Sequence, residues 1–315
     1  MTDVLVLRAL GLGDLLASVA ALRGLRRAWP GARLVLAAPA ALGGWLQSLG
    51  LVDDVADLRG LDDAAGLAAL AASPEVVVNL HGQGPESHRL ARRLRPARLV
   101  GFACRAAGFD DGPAWCDDEH EVDRWIRLSH WVGGVAEFDD LRLPPPGERR
   151  DHVVVHPGAA SGSRRWPARR WAEVAAALAA EGHRVVVTGT PAEADPCAQV
   201  AASAAGIEDH CGRHDLAALG DLVGTASLLV SGDTGVAHVA TAFGTPSVTL
   251  FGPVAPALWG PRIDPHLHRP LWHGTGPQLR PGDPHGTDPD ERLLAIGVPE
   301  VVDAAHEVLP VRTSP

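Results

Sequence analysis

The sequence predicts an α/β protein made of two doubly wound parallel sheets, each covered by helices, facing one another across a cleft. Three observations carry that expectation. Short β-branched runs alternate with alanine-rich helical stretches along the chain. A proline-rich segment, "LRLPPPGERR" (141–150), interrupts the alternation once, after which it restarts. The length of 315 residues suits two domains at about 150 residues each. The expected division is 1–146 and 147–315.

In the first half, "VLVL" (4–7), "RLVLAA" (33–38), "EVVVNL" (75–80) and "ARLVGF" (97–102) read as buried strands. "LLASVAALRGLRRAW" (15–29) and "AALGGWLQSLG" (40–50) read as the helices between them. In the second half, "HVVVHPG" (152–158), "HRVVVTG" (183–189) and "LLVSGDTG" (228–235) are strands entering turns. "WAEVAAALAAEG" (171–182) and "AHVATAFG" (237–244) are helices, and "PSVTLFG" (246–252) is expected as the last strand. The tail after Pro261 reads mainly as loop, closed by a helix over "VPEVVDAAHEVL" (298–309). In sheets of this kind ligands bind at the carboxyl ends of the strands, so the turns there are where chemistry is sought.

Bulk properties exclude several classes. A formal charge of −10 argues against nonspecific nucleic-acid binding, which needs broad positive surface. The composition, 46% hydrophobic and 21% charged, is that of a soluble globular protein. Every basic residue is an arginine, and Arg89, Arg92, Arg93, Arg95 and Arg98 form either a solvated helix face or an anion site. Cys104, Cys116, Cys197 and Cys211 make no CxxC pair and no zinc spacing, which fits a reducing, cytoplasmic compartment. Asp3, Arg8 and Asp14 break any signal-peptide pattern at the start of the chain, and no apolar run reaches the ~20 residues of a membrane helix. Peripheral membrane contact stays open.

Four turns carry candidate residues. In "RALGLGD" (8–14), Gly11 and Gly13 open a helix, but leucine stands where a dinucleotide fingerprint needs its third glycine. Asp14 would repel a pyrophosphate there; it is either a helix cap or a general base at a strand end. In "HPGAASGSRRWP" (156–167), small residues admit an oxyanion to backbone amides, and Ser161, Arg164 and Arg165 can grip a phosphate; the plain alternative is a surface loop. In "VSGDTGVAHVATAFGTP" (230–246), Asp233 can cap the following helix while Thr234 and Gly235 donate amides to an anion, and His238 stands one turn in. In "TGTPAEAD" (188–195), Glu193 can bind a ribose diol or simply occupy a first helical turn. The histidines of "DDEHEVDRW" (117–125) and "PHLHRPLWH" (265–273) have no recognised metal spacing, and no metal or cofactor is expected.

Taken in order, these motifs resemble glycosyltransferase family 9, the ADP-heptose:lipopolysaccharide heptosyltransferase family. The likeness rests on "LGDLLASVAALRGLRRAWP", "HPGAASGSRRWPARRWAEVA" and "VSGDTGVAHVATAFGTPSVTLFGP", the last being the most specific. The resemblance implies a GT-B fold of two Rossmann-like domains, the first binding the acceptor and the second the nucleotide sugar, with the last helix packing back on the first domain. It implies metal-independent, inverting transfer in which Asp14 takes the proton of the acceptor hydroxyl. Arg164 stands at the family's lysine position, and Glu193 at that of its ribose-binding acid. Ala159 and Ala160 replace hydroxyl residues found beside the phosphates in some members.

The function so implied is transfer of a sugar, heptose from ADP-heptose being the leading candidate, to a hydroxyl of a glycan, lipid-linked or natural-product acceptor. A nucleotide-sugar-binding protein without turnover and a GT-B nucleotide-sugar epimerase are the alternatives. A nicotinamide-dependent oxidoreductase is disfavoured by the missing glycine.

Overall fold

The computed structural model describes residues 3–70 and 74–309. The chain divides into two compact units, Met1–Leu141 and Arg142–Pro315.

The first unit holds strands β1 (Asp3–Leu7), β2 (Arg33–Ala38), β3 (Asp54–Asp57), β4 (Val76–Asn79) and β5 (Arg98–Val100). Its helices are α1 (Leu12–Ala17), α2 (Val19–Ala28), α3 (Ala40–Ser48), α4 (Ala64–Ala69), α5 (Glu86–Arg93) and α6 (Glu121–Trp131). All strand pairs are parallel, in the order β3-β2-β1-β4-β5. Val4, Val6, Leu36, Val77 and Val78 are completely buried, as strands covered on both faces require. The stretch expected as one helix over 15–29 breaks at Ser18, whose hydroxyl donates to the Leu15 carbonyl at 2.7 Å.

The second unit holds β6 (His152–His156), β7 (Arg184–Val187), β8 (Glu208–Asp209), β9 (Leu228–Gly232), β10 (Ser247–Leu250) and β11 (His268–Leu271). Around them stand α7 (Ala168–Ala180), α8 (Ala194–Ala201), α9 (Leu216–Gly224), α10 (Gly235–Phe243), α11 (Pro256–Trp259), α12 (Glu291–Ala295) and α13 (Val298–Val308). The parallel sheet runs β11-β10-β9-β6-β7-β8. In each unit the order reverses beside the first strand, between β1 and β4 and between β6 and β9. Those reversals leave a crevice at the carboxyl ends of the strands.

Several expectations need correction. The sheet does not end with "PSVTLFG": β11 pairs with β10 at its edge, where Pro270 is tolerated because no ladder donor is needed on the outer side. The last helix gives its buried residues Val301, Ala304, Ala305 and Val308 to the second unit's core, against α7, β9, β10 and β11. An amphipathic helix goes where its apolar stripe is covered, and Leu178, Val248 and Leu250 cover it there.

The proline-rich segment divides differently from the expected 146/147. The Leu143 amide donates to the Ala242 carbonyl at 2.8 Å, Arg142 pairs with Asp264, and Arg149 reaches the carbonyls of Ala226 (2.8 Å) and Gly244 (2.9 Å). Residues 142–150 are therefore stitched to the second unit, and the division falls at 141/142.

Candidate active site

The opening turn places Asp14 at the carboxyl end of β1. Gly11, extended at φ −75° and ψ 176°, is the residue that caps α1. Asp14 is not the cap; it lies in the first turn, where the helix dipole favours a carboxylate. Its side chain is 32% exposed. Burial raises its pKa above the ordinary 3.8, opposed by Arg8 and assisted by Glu121. A carboxyl so raised is a better base than a solvated aspartate.

Beneath Asp14 lies a group that the motif reading did not single out. Arg8 closes β1 and is fully buried. Its Nε donates to the Asp14 carbonyl at 2.8 Å, Nη1 donates to the Leu80 carbonyl beyond β4, and Nη2 lies 3.2 Å from Glu121 Oε1 and 3.8 Å from Asp14 Oδ1. The guanidinium also stacks over Trp125, 4.5 Å from the ring centroid. Glu121 accepts from the Trp125 indole at 2.7 Å and from Arg124. Burial pushes Glu121 up, but Arg8 and Arg124 outweigh it and its carboxyl stays below the usual range.

His81 follows β4 across the reversal from β1. Burial, then the charge of Arg8, lowers its pKa to about 4, so its imidazole is neutral at physiological pH. Its main-chain amide is held by Asn79 Oδ1 at 3.0 Å, and Asn79 is anchored in turn by Ser87 and His88.

In the second unit the remaining motifs converge on adjacent strands. Arg164 leaves the β6 turn and donates from Nη1 to the Asp233 carbonyl at 3.2 Å, across the reversal to β9. Asp233 itself is buried and does not cap α10; Thr234 holds that position, with no side-chain cap bond, and Gly235 begins the helix. His238, one turn in, meets Trp259 edge-on at 5.9 Å. Arg165 is exposed and donates to the carbonyls of Ala159 (2.9 Å) and Ala160 (3.3 Å), so it braces the loop. Ser161 is half-buried in the same loop.

Glu193 stands at the end of β7, next to β6. One carboxylate oxygen accepts from the Thr190 amide (2.7 Å) and hydroxyl (2.9 Å), a local capping box. The other side of the carboxyl lies against Gly158, where any Cβ would collide with it. That close approach, not φ, favours glycine at 158, because a methyl there would displace the carboxyl. Across the β6 loop runs the tail: the Ser163 amide donates to the Gly286 carbonyl (2.9 Å), and the Asp290 amide to that of Ser163 (3.1 Å).

A cavity of about 610 Å³ lies elsewhere in the first unit, lined by Asp3, Arg33, Asp54 and Glu75 at the amino ends of the strands. It is remote from Asp14 and does not belong to this site. No group of three or more His, Cys, Asp or Glu among the described residues is arranged to hold a metal ion. No helix among them is long and apolar enough to cross a membrane.

Two parallel-sheet α/β units of this topology make the GT-B architecture, and solved structures bear this out. A glycosyl transferase family 9 structure from Veillonella parvula superposes with a TM-score of 0.80, covering 98% of this chain and 97% of its own at 20% identity. The structure described as E. coli ADP-heptose lps heptosyltransferase II gives 0.78 at 21% identity, covering 98% of each chain. The model of glycosyltransferase family 9 (heptosyltransferase) matches residues 134–268 of the chain. In sequence it is similar to lipopolysaccharide heptosyltransferase 3 of Escherichia coli, 29% identical over 201 residues. That match spans 61% of this chain and 58% of the relative's length.

Proposed function

We propose that the protein is a metal-independent, inverting glycosyltransferase that moves a sugar from a nucleoside diphosphate donor to an acceptor hydroxyl. The observation that carries this reading is Asp14: a half-buried carboxylate of raised basicity at the carboxyl end of β1, in the unit whose turn lacks the dinucleotide fingerprint. Asp14 removes the acceptor proton, and the oxygen attacks the anomeric carbon from the face opposite the diphosphate. The bond to the diphosphate breaks as the new glycosidic bond forms, inverting the centre. Arg164 and the amides of Thr234 and Gly235 neutralise the departing diphosphate, as preorganised donors do for developing charge. Glu193, Ser161, Arg165, Asp233 and His238 frame the same donor side.

ADP-heptose is the leading donor, because similar proteins are named heptosyltransferases and one solved relative is described with ADP-heptose in its name. The acceptor is a glycan, lipid-linked or natural-product hydroxyl. The free thiols of all four cysteines fit a cytoplasmic setting.

The test is a thermal-shift panel of ADP, UDP, GDP, dTDP and NAD on wild type and Thr234→Arg, followed by transfer assays. Binding at a hundred-fold excess over Kd stabilises by about 2.7 kcal/mol. A shift with ADP, lost in Thr234→Arg, supports the donor turn and an ADP-sugar. A shift with another nucleoside diphosphate keeps the transferase and replaces heptose. A shift with NAD alone, untouched by the substitution, sinks the proposal.

A further inference from the structure

Arg8 is a single buried cation between two carboxylates at unequal distances, 3.2 Å from Glu121 and 3.8 Å from Asp14. We infer that Glu121 is a positioning residue for Asp14: acting through Arg8, it holds the guanidinium below the carboxylate and keeps most of its charge from Asp14. The inference rests on the reading of Asp14 as the base, and it names what keeps Arg8 from undoing the basicity that burial gives Asp14.

The geometry leaves Arg8 little freedom. Its Nε and Nη1 are committed to the carbonyls of Asp14 and Leu80, and its flat face is covered by Trp125. Only Nη2 is shared between the two acids. Glu121 is itself held in place by the Trp125 indole and by Arg124, so it cannot swing away. Arg124 is fixed from behind by the carbonyls of Cys116 (2.8 Å) and Glu119 (2.9 Å).

The charged groups around Asp14 are therefore Arg8 from the turn after β1 and Glu121 from α6, with the neutral imidazole of His81 beside Arg8 after β4. Behind Glu121 stand Arg124 and, at 4.0 Å from it, Glu119, which also pairs with Arg127. Remove the charge of Glu121, and Nη2 has one anion left to serve. Asp14 then becomes an ordinary ion-paired carboxylate, with its oxygen engaged by the guanidinium and its basicity reduced. A Glu121 that only held α6 in place, with the charge of Arg8 on Asp14 set by the carbonyls and Trp125 alone, would affect stability and leave the titration of Asp14 alone.

The experiment is a carboxyl-carbon NMR titration of the whole protein labelled at aspartate, with the Asp14 signal assigned by its loss in Asp14→Asn. In Glu121→Gln the Asp14 midpoint falls by about one pH unit or more, the effect of a neighbouring opposite charge made fully available. In Glu121→Asp, which keeps the charge but withdraws it by one methylene, the midpoint falls by less. If Glu121→Gln does not fold, judged by far-UV circular dichroism, the aspartate variant alone must still show the fall. A midpoint that stays put or rises in a folded variant overturns the inference. Neither donor nor acceptor is needed, so the titration stands whatever the reaction proves to be. Loss of transfer in Asp14→Asn together with an unmoved midpoint in the Glu121 variants would reject the inference and keep the base.

Discussion

The two units reverse their strand order at equivalent points, β1 against β4 and β6 against β9, yet place opposite chemistry there. In the first, the cation is buried beneath the turn, and two carboxylates share it, one of them, Asp14, part-exposed. In the second, the cation is in the turn itself: Arg164 is half-buried, and its guanidinium bond runs to a neutral carbonyl, that of Asp233. An equivalent backbone address thus presents a carboxylate in one unit and positive charge in the other. The fold supplies the crevice, and the placement of one arginine relative to the turn decides the sign of the charge presented there; under the proposed function these are the base and the diphosphate side.

The strongest way to break that comparison is at Asp14. Asp14→Asn removes the base and should lower transfer by about a hundredfold to ten-thousandfold, with nucleotide affinity unchanged within a few-fold. The same residue fixes the pH dependence. Because its folded-state pKa is raised, the rate falls as pH drops through a midpoint above 3.8, where a solvated aspartate would still be ionised. The linkage has the opposite sign to that of an ion-paired carboxylate. The native state holds this proton more tightly, so stability from Asp14 declines as pH rises through the carboxyl range, and Asp14→Asn should not destabilise at neutral pH. Urea unfolding at pH 4 and pH 7 checks this; a large loss at pH 7 contradicts it.

At the equivalent point of the second unit, Arg164→Ala should weaken ADP binding about tenfold to a hundredfold, the range for a charge-assisted bond, measured by calorimetry. Equal affinities in the two proteins would remove Arg164 from the donor side. A smaller effect is expected at Gly158→Ala. The new methyl meets only the Glu193 carboxyl, the far end of a flexible side chain, which must leave Thr190; a loss of about 1 kcal/mol of unfolding free energy is expected by urea denaturation, the worth of the hydrogen bonds given up. Smallest is Arg142→Ala, which breaks a bidentate but largely exposed pair with Asp264. Below about 1 kcal/mol is expected, and anything larger would make that pair a main tie of the segment to the second unit.

The sequence disclosed elements unevenly, for physical reasons. "HVVVHPG" and "RLVLAA" were legible because strands buried on both faces must be continuously apolar. β11, with His268, Arg269 and Pro270 among its four residues, carries no such run, because an edge strand need not. The turns that hold Asp14, Arg164 and Thr234 were legible because small residues and glycines at strand ends mark them. Arg8 and Glu121 were not, although Arg8 stands in the quoted motif and Glu121 in a stretch weighed only for metal. Their pairing spans 113 residues and appears only when α6 packs on α1 and α2.

By itself, then, the amino-acid sequence determined that there are two alternating β/α units, where their strand-end turns fall, and which turn carries acid and which carries arginine. These are local properties of apolar runs, glycines and spacing. Only the tertiary structure decided that α13 completes the second core, that residues 142–150 belong to that unit, and that Asp14 lies above a buried Arg8 shared with Glu121. Burial and charge pairing depend on which distant segments meet, and no local pattern encodes that meeting.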